Sequence, residues 1–145
     1  MSELLTTARP YAKALFKSAK EQNMIDQNFD MLKNLNMVIN NNNAQKILSN
    51  DSFDSKYKVN FLSEVLKENT NENFLRFISL LSENNRLSVI TEICDLYNGY
   101  LQEEKSLKTA KIDTAYELNR DQLEAIKVAL EKRFNKKIEL EQNLD

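Results

Sequence analysis

The amino-acid sequence predicts a mainly α protein, with an N-terminal six-helix bundle over residues 1–105 and an incomplete α/β segment over residues 106–145. Three observations predict it. The 145 residues include one glycine, Gly99, and one proline, Pro10, where average usage of about 7% and 5% would supply many more. Almost nothing is left to build the turns that β-hairpins need. Apolar residues recur at steps of three and four through the first hundred positions, the spacing of one buried helix face. After Lys105 the spacing becomes an alternation, as in a strand. A chain of this length buries enough surface to fold without metals or disulfides, and the single Cys94 has no partner for an internal bridge.

In the first helix the core positions are Leu5, Ala8, Ala12, Leu15 and Ala19. Ser2 suits an N-cap and Glu3 the first turn, while Pro10, which removes a backbone donor, predicts a kink near Thr6. Phe29, Leu32, Leu35 or Asn36, and Ile39 mark a second helix that ends in the run Asn40 to Asn43. Ala44, Ile47 and Leu48 mark a short third. Asp54 or Ser55 caps a fourth, with the stripe Tyr57, Phe61, Leu62, Val65 and Leu66, and the polar stretch Glu68 to Asn73 stops it. The fifth is short and unusually apolar. Phe74, Leu75, Phe77, Ile78, Leu80 and Leu81 cover about 220° of its circumference, more than one core-facing stripe requires. Leu87, Ile90, Cys94, Tyr97 and Leu101 define a sixth helix to about Glu104. Beyond it, Thr109 to Ala115 alternates like a strand, Leu123, Ile126, Leu130 and Phe134 mark a helix, and Ile138 and Leu140 a second strand.

Composition excludes most chemistry. There is no histidine, the commonest general base near neutral pH, so Ser-His-Asp and Cys-His catalysis and His-bearing zinc sites are ruled out. One glycine cannot build a phosphate-binding G-x-G-x-x-G or P-loop. No catalytic, cofactor-binding or metal-binding residues are therefore expected. Asp26/Asp30 and Glu103/Glu104 lack a third converging ligand and read as solvated helix surface, and Cys94 reads as a small buried apolar side chain. The cluster Lys132, Arg133, Lys136, Lys137 reads as a charge complement to a helix C-terminus. With 20 basic and 22 acidic residues the net charge is −2, a poor footprint for nucleic acid. No apolar run approaches the roughly 18 residues of a membrane span.

What remains is surplus hydrophobicity. The first helix has a second stripe of Leu4, Thr7, Tyr11, Ala14 and Ser18, rotated away from the core stripe. The fifth has a matching flank of Asn73, Phe77, Leu80 and Asn84. Side by side these would form a groove of small and aromatic residues suited to an amphipathic helix. Periodicity alone favours the plainer account, in which both stripes are core.

The residues carry more than a class. ARPYAKALFKSAKE (Ala8 to Glu21) resembles the opening signature of the delta subunit family of F-type ATP synthases, which includes the oligomycin-sensitivity-conferring protein. LLSENNRLSVITEICDLYNGYL (Leu80 to Leu101) resembles that family's Asn-x-Arg-Leu turn into a long sixth helix. Lys111 to Asp145 is similar to the strand, helix and strand that begin its C-terminal domain. Asn85 stands where the family commonly has glycine, as does a position near Asn135; asparagine is the side chain that best tolerates the left-handed conformation. Family members continue beyond a segment like Asn143 to Asp145, so the C-terminal domain is expected to be incomplete.

The resemblance implies a non-catalytic stator subunit. Its bundle would grip the N-terminal helix of an alpha subunit through Leu4, Thr7, Tyr11 and Ala14 on the first helix and Phe77, Leu80 and Leu81 on the fifth. Its C-terminal domain would meet the b subunits of the peripheral stalk, with no residues assigned. The match begins at residue 8 and leaves no room for a transit peptide, so a bacterial subunit at the cytoplasmic face of the cell membrane is expected, held by partners and not by insertion. The competing reading is a generic helical adaptor for an amphipathic helix of another protein.

Overall fold

A computed structural model describes residues 2–134. They form six α-helices, α1 (Ser2–Glu21), α2 (Ile25–Ile39), α3 (Asn42–Leu48), α4 (Ser55–Leu66), α5 (Glu72–Glu83) and α6 (Ile90–Phe134), with 3-10 turns at Lys67–Asn69 and Leu87–Val89. Two compact units are present, Met1–Gln102 and Glu103–Asp145.

Short polar side chains set the helix starts. The Asn41 carboxamide oxygen accepts from the N–H groups of Asn43 and Ala44, Asp54 from Tyr57, and Asn71 from Phe74, at 2.8 to 3.2 Å. Each cap satisfies donors that the first helical turn leaves unpaired. Asparagine also ends two helices. Asn23 and Asn85 both have φ of 56°, and each sits in a doubly bonded C-terminal motif. Behind α1, Met24 N–H reaches Ala19 O at 2.8 Å and Asn23 N–H reaches Lys20 O at 3.2 Å; behind α5, Arg86 N–H reaches Leu81 O at 2.7 Å and Asn85 N–H reaches Ser82 O at 3.1 Å. This ending normally uses glycine. The end of α4 is less well matched, because Lys67 is held at φ 49°, ψ −113°, a region costly for a residue with a Cβ.

The core of the first unit follows the predicted stripes. Ala8, Ala12, Leu15 and Ala19 of α1 are buried, with Leu32, Leu35 and Ile39 of α2, Leu62 and Leu66 of α4, Phe74, Ile78 and Leu81 of α5, and Ile90, Ile93 and Tyr97 of α6. The alanines let neighbouring helices approach α1 closely. Pro10 is exposed inside a continuous α1, where the Thr6 carbonyl has lost its helical donor. Two expected core positions, Tyr57 and Val65, are instead about half exposed. α4 turns Leu62 and Leu66 inward, and Tyr57 stacks on Phe53 with ring centroids 4.4 Å apart.

Tyr97 joins three helices. Its ring meets Phe16 of α1 edge-on at 5.3 Å and stacks on Phe29 of α2 at 5.8 Å, and its hydroxyl donates to the Ile25 carbonyl at 2.7 Å. Burial, with the charge of Asp26 second, pushes the phenol pKa far above its usual value, so the group stays a neutral donor. Polar links add to this. Thr91 Oγ1 donates to Asn36 Oδ1 at 2.8 Å between α6 and α2, and Ser55 donates to Ser82 at 3.0 Å between α4 and α5.

The expected strand at Thr109 to Ala115 is corrected: these residues are helical and lie within α6. No strand occurs among the described residues. Between Gly99 and Phe134 there is neither glycine nor proline, and alanine, leucine, lysine and glutamate are frequent, all strong helix formers. Local side-chain contacts are those of a helix. Thr114 Oγ1 bonds the Ala110 carbonyl at 3.0 Å, and the Arg120 guanidinium lies 4.3 Å from the Tyr116 ring centroid, both four residues apart. The predicted helix through Leu123 and Ile126 falls within α6, and the second predicted strand, at Ile138 and Leu140, lies outside the described residues.

Two stability outcomes follow. Tyr97→Phe keeps the ring but leaves the Ile25 carbonyl unpaired, and should cost about 1 to 3 kcal/mol in urea unfolding followed by far-UV circular dichroism. Lys67→Gly relieves the positive φ and should gain roughly 0.5 to 1 kcal/mol, read as a raised urea midpoint; an unchanged or lowered midpoint would remove the strain assigned to Lys67.

Candidate partner-binding surface

α1 and α5 both have more apolar surface than the core uses. On α1 the buried stripe is Ala8, Ala12, Leu15 and Ala19, and the second stripe lies outside it: Leu4 is 44% exposed, Thr7 and Tyr11 are half-buried, and Ala14 is exposed. Tyr11 rests its ring against the core. On α5, Phe74, Ile78 and Leu81 take the core face at steps of four and three. That leaves Phe77 half-buried, its ring 5.8 Å from that of Phe74, and Leu80 47% exposed. Leu81 is fully buried. It supports the flank from beneath and offers no surface of its own.

One hydrogen bond joins the two flanks: Asn84 Nδ2 donates to the Tyr11 hydroxyl at 3.0 Å. Its geometry is set by the end of α5. Asn84 is the C-cap, its own N–H tied to Leu80 O at 3.2 Å, and the left-handed Asn85 turns the chain so that Leu87–Val89 packs on α1. Sequence reasoning placed Tyr11 and Asn84 on their respective stripes but could not pair residues 73 positions apart. The side chains named on the two flanks are aliphatic, aromatic or neutral polar, with no acid or base among them. The chemistry of this surface is that of association.

Other candidates resolve as structure. Cys94 is buried, and burial, aided by the charge of Asp95, raises its thiol pKa, which disfavours the reactive thiolate. Asp30 pairs with Lys33 at 3.4 Å, and Lys33 also lies 4.8 Å from the Phe29 ring centroid. Among the described residues no group of three potential metal ligands occurs, and no helix is long and apolar enough to cross a membrane. A second apolar depression was missed in the sequence. It has a volume of about 400 Å³ between α2, α3 and α4, and is lined by Val38, Ala44, Ile47, Phe61, Val65 and Met37, which is 72% exposed. The signal was Val65, which sits between the buried Leu62 and Leu66 in sequence but is rotated about 100° from Leu66 around α4.

Comparison with known proteins gives this surface a context. The profile described as "ATP synthase delta (OSCP) subunit" matches residues 7–145. The "ATP synthase subunit delta" of Marinobacter nauticus (strain ATCC 700491 / DSM 11845 / VT8) is 34% identical over all of this chain and 82% of its own length. That of Shewanella sp. (strain MR-4) is 35% identical, with 100% and 81% covered, and that of Francisella tularensis subsp. novicida (strain U112) is 28% identical with the same coverage. With a profile match over nearly its whole length and relatives above 30% identity, the chain belongs to the ATP synthase delta (OSCP) subunit family.

Proposed function

We propose that the chain holds the N-terminal helix of an ATP synthase alpha subunit along α1 and α5, and so links the catalytic head to the peripheral stalk. Membership of the delta family makes it a structural, non-catalytic subunit of the synthase. The observation that supports the finer reading is the Tyr11–Asn84 bond, which ties the α1 stripe to the C-terminal end of the α5 flank. Leu4, Thr7, Tyr11 and Ala14 then form one wall, and Phe77 and Leu80 the other, with Leu81 beneath.

The physical task suits such a surface. Rotation within the synthase drives catalysis only if the head is held still, so the link must resist torque without doing chemistry. An amphipathic helix laid in an apolar groove buries its stripe by the hydrophobic effect, and roughly 800 Å² per partner is a standard stable interface. The second unit, Glu103–Asp145, is assigned to the b subunits of the peripheral stalk, and the complex to the cytoplasmic face of the bacterial cell membrane. No residue of the second unit is given a role.

The test is a calorimetric titration of the full chain with a synthetic peptide of the N-terminal helix of its cognate alpha subunit, since there is no tryptophan to report binding. Saturable one-to-one binding, lost on scrambling the peptide, supports the reading; an equally good fit to unrelated amphipathic helices would favour a generic adaptor. Tyr11→Ala should weaken the cognate interaction by about 1 to 3 kcal/mol, as an aromatic anchor does, with helicity by circular dichroism unchanged. Unaltered affinity in that variant would take Tyr11 out of the interface.

A further inference from the structure

The geometry points to Tyr11 and Asn84 as a register-setting polar pair that requires a neutral hydrogen-bonding side chain, a hydroxyl or carboxamide, within the apolar face of the bound helix. The inference rests on the groove reading above and goes beyond it by fixing what chemistry the occupant must carry at one position.

Asn84 Nδ2 donates to the Tyr11 hydroxyl oxygen at 3.0 Å. This bond uses one donor of the amide and one lone pair of the phenol. The Tyr11 O–H and the Asn84 Oδ1 are left over, and neither has a protein partner among the described residues. In the free protein water serves them, because Asn84 is exposed and Tyr11 half-exposed. Of the neighbours on the same shelf, Phe77, Leu80, Ala14 and Leu4 have no side-chain polar atom, and Thr7, one turn before Tyr11, can turn its hydroxyl to a carbonyl of its own helix. A helix that covers the Tyr11–Asn84 pair therefore removes water from one donor and one acceptor of that pair and supplies nothing in return unless it brings its own.

A serine or threonine hydroxyl can accept from Tyr11 O–H while donating to Asn84 Oδ1, and an asparagine or glutamine carboxamide can do both with separate atoms. A carboxylate can only accept and an ammonium only donate, so each satisfies half of the pair and brings a charge to be desolvated. An aliphatic side chain satisfies neither. Leaving a covered donor or acceptor unpaired costs roughly a 5- to 100-fold loss of affinity. The pair also discriminates register. A purely apolar stripe can slide by one helical turn with little penalty, whereas a single polar position has only one register in which it meets Tyr11 and Asn84.

The experiment is a set of double-mutant cycles by calorimetry on the full chain. The probe is the synthetic N-terminal helix of the cognate alpha subunit, with each neutral polar residue of its apolar face replaced in turn by alanine. Against the wild-type chain, one replacement should lower affinity roughly 5- to 100-fold. Against Tyr11→Phe and against Asn84→Ala the same replacement should lower it by a smaller factor, because each substitution removes one of the two groups it served, and against the double substitution by less than about threefold. Both protein substitutions lie at the surface, and unchanged circular dichroism verifies that they fold. Binding of the parent peptide with every cycle additive would overturn the polar-pair inference and leave the groove reading standing. No binding of the parent peptide to a folded wild-type chain would overturn both.

Discussion

The buried Tyr97 is the constraint on which the arrangement of the first unit depends. Its ring lies between Phe16 of α1 and Phe29 of α2, and its hydroxyl closes on the Ile25 carbonyl at the start of α2. Three helices are thereby fixed about one side chain of α6. Apolar contact alone would allow α1 to roll about its axis, since its buried stripe is largely alanine and grips little. The edge-on contact from Phe16 restricts that rotation. With Ala8, Ala12 and Ala19 turned inward, the stripe through Leu4, Thr7, Tyr11 and Ala14 lies at the edge of the core, Leu4 and Ala14 exposed and Thr7 and Tyr11 half-buried. The surface assigned to a partner is thus a consequence of how α1 is held from the opposite side.

The second wall is set by backbone chemistry at the end of α5. Three core residues, Phe74, Ile78 and Leu81, fix its rotation, and the capping bonds from Asn85 and Arg86 stop it. A helix one residue longer would carry Asn84 onward in the helical path, and the chain would not turn to bring Leu87–Val89 against α1. Asparagine manages this turn at φ 56° with a side chain attached. A protein with one glycine in 145 residues has thus met its left-handed positions with the next most tolerant residue, and accepted strain at Lys67, where it used neither.

Much of this was legible in the sequence. Steps of three and four located the six helices, though the sixth, expected to end near Glu104, runs to Phe134, and the family-like segment at Leu80 to Leu101 located the turn at Asn85. The surplus on α5 was visible because its apolar residues cover too much of the circumference for one contact. The failures have physical causes. Thr109 to Ala115 alternates, but seven residues of alternation say less than the absence of any glycine or proline from there to Phe134, in a stretch rich in helix formers. Periodicity places Tyr57 and Val65 in the core because it names a face and not its width, and α4 buries only a narrow one. Tyr11 and Asn84 were each on a recognised stripe, yet their bond spans the chain and depends on how α1 and α5 are rotated. Local pattern carries no information of that kind.

The two components of the α1–α5 surface do different physical work. Burial of Leu4, Phe77 and Leu80 is non-directional, growing with the area removed from water, and gives affinity to any helix with a broad enough apolar stripe. Hydrogen bonds contribute little net free energy when made but are costly when left unmade, so a polar pair inside such a surface acts mainly by penalising wrong occupants and wrong registers. If this surface holds a helix under torque, as proposed, strength and register are separate requirements. A helix gripped tightly in several registers would creep under load one turn at a time, each step needing only apolar contacts to be exchanged for equivalent ones. A single unsatisfied donor and acceptor on the path make every displaced register less stable than the seated one, so a small polar feature secures what the larger apolar area supplies.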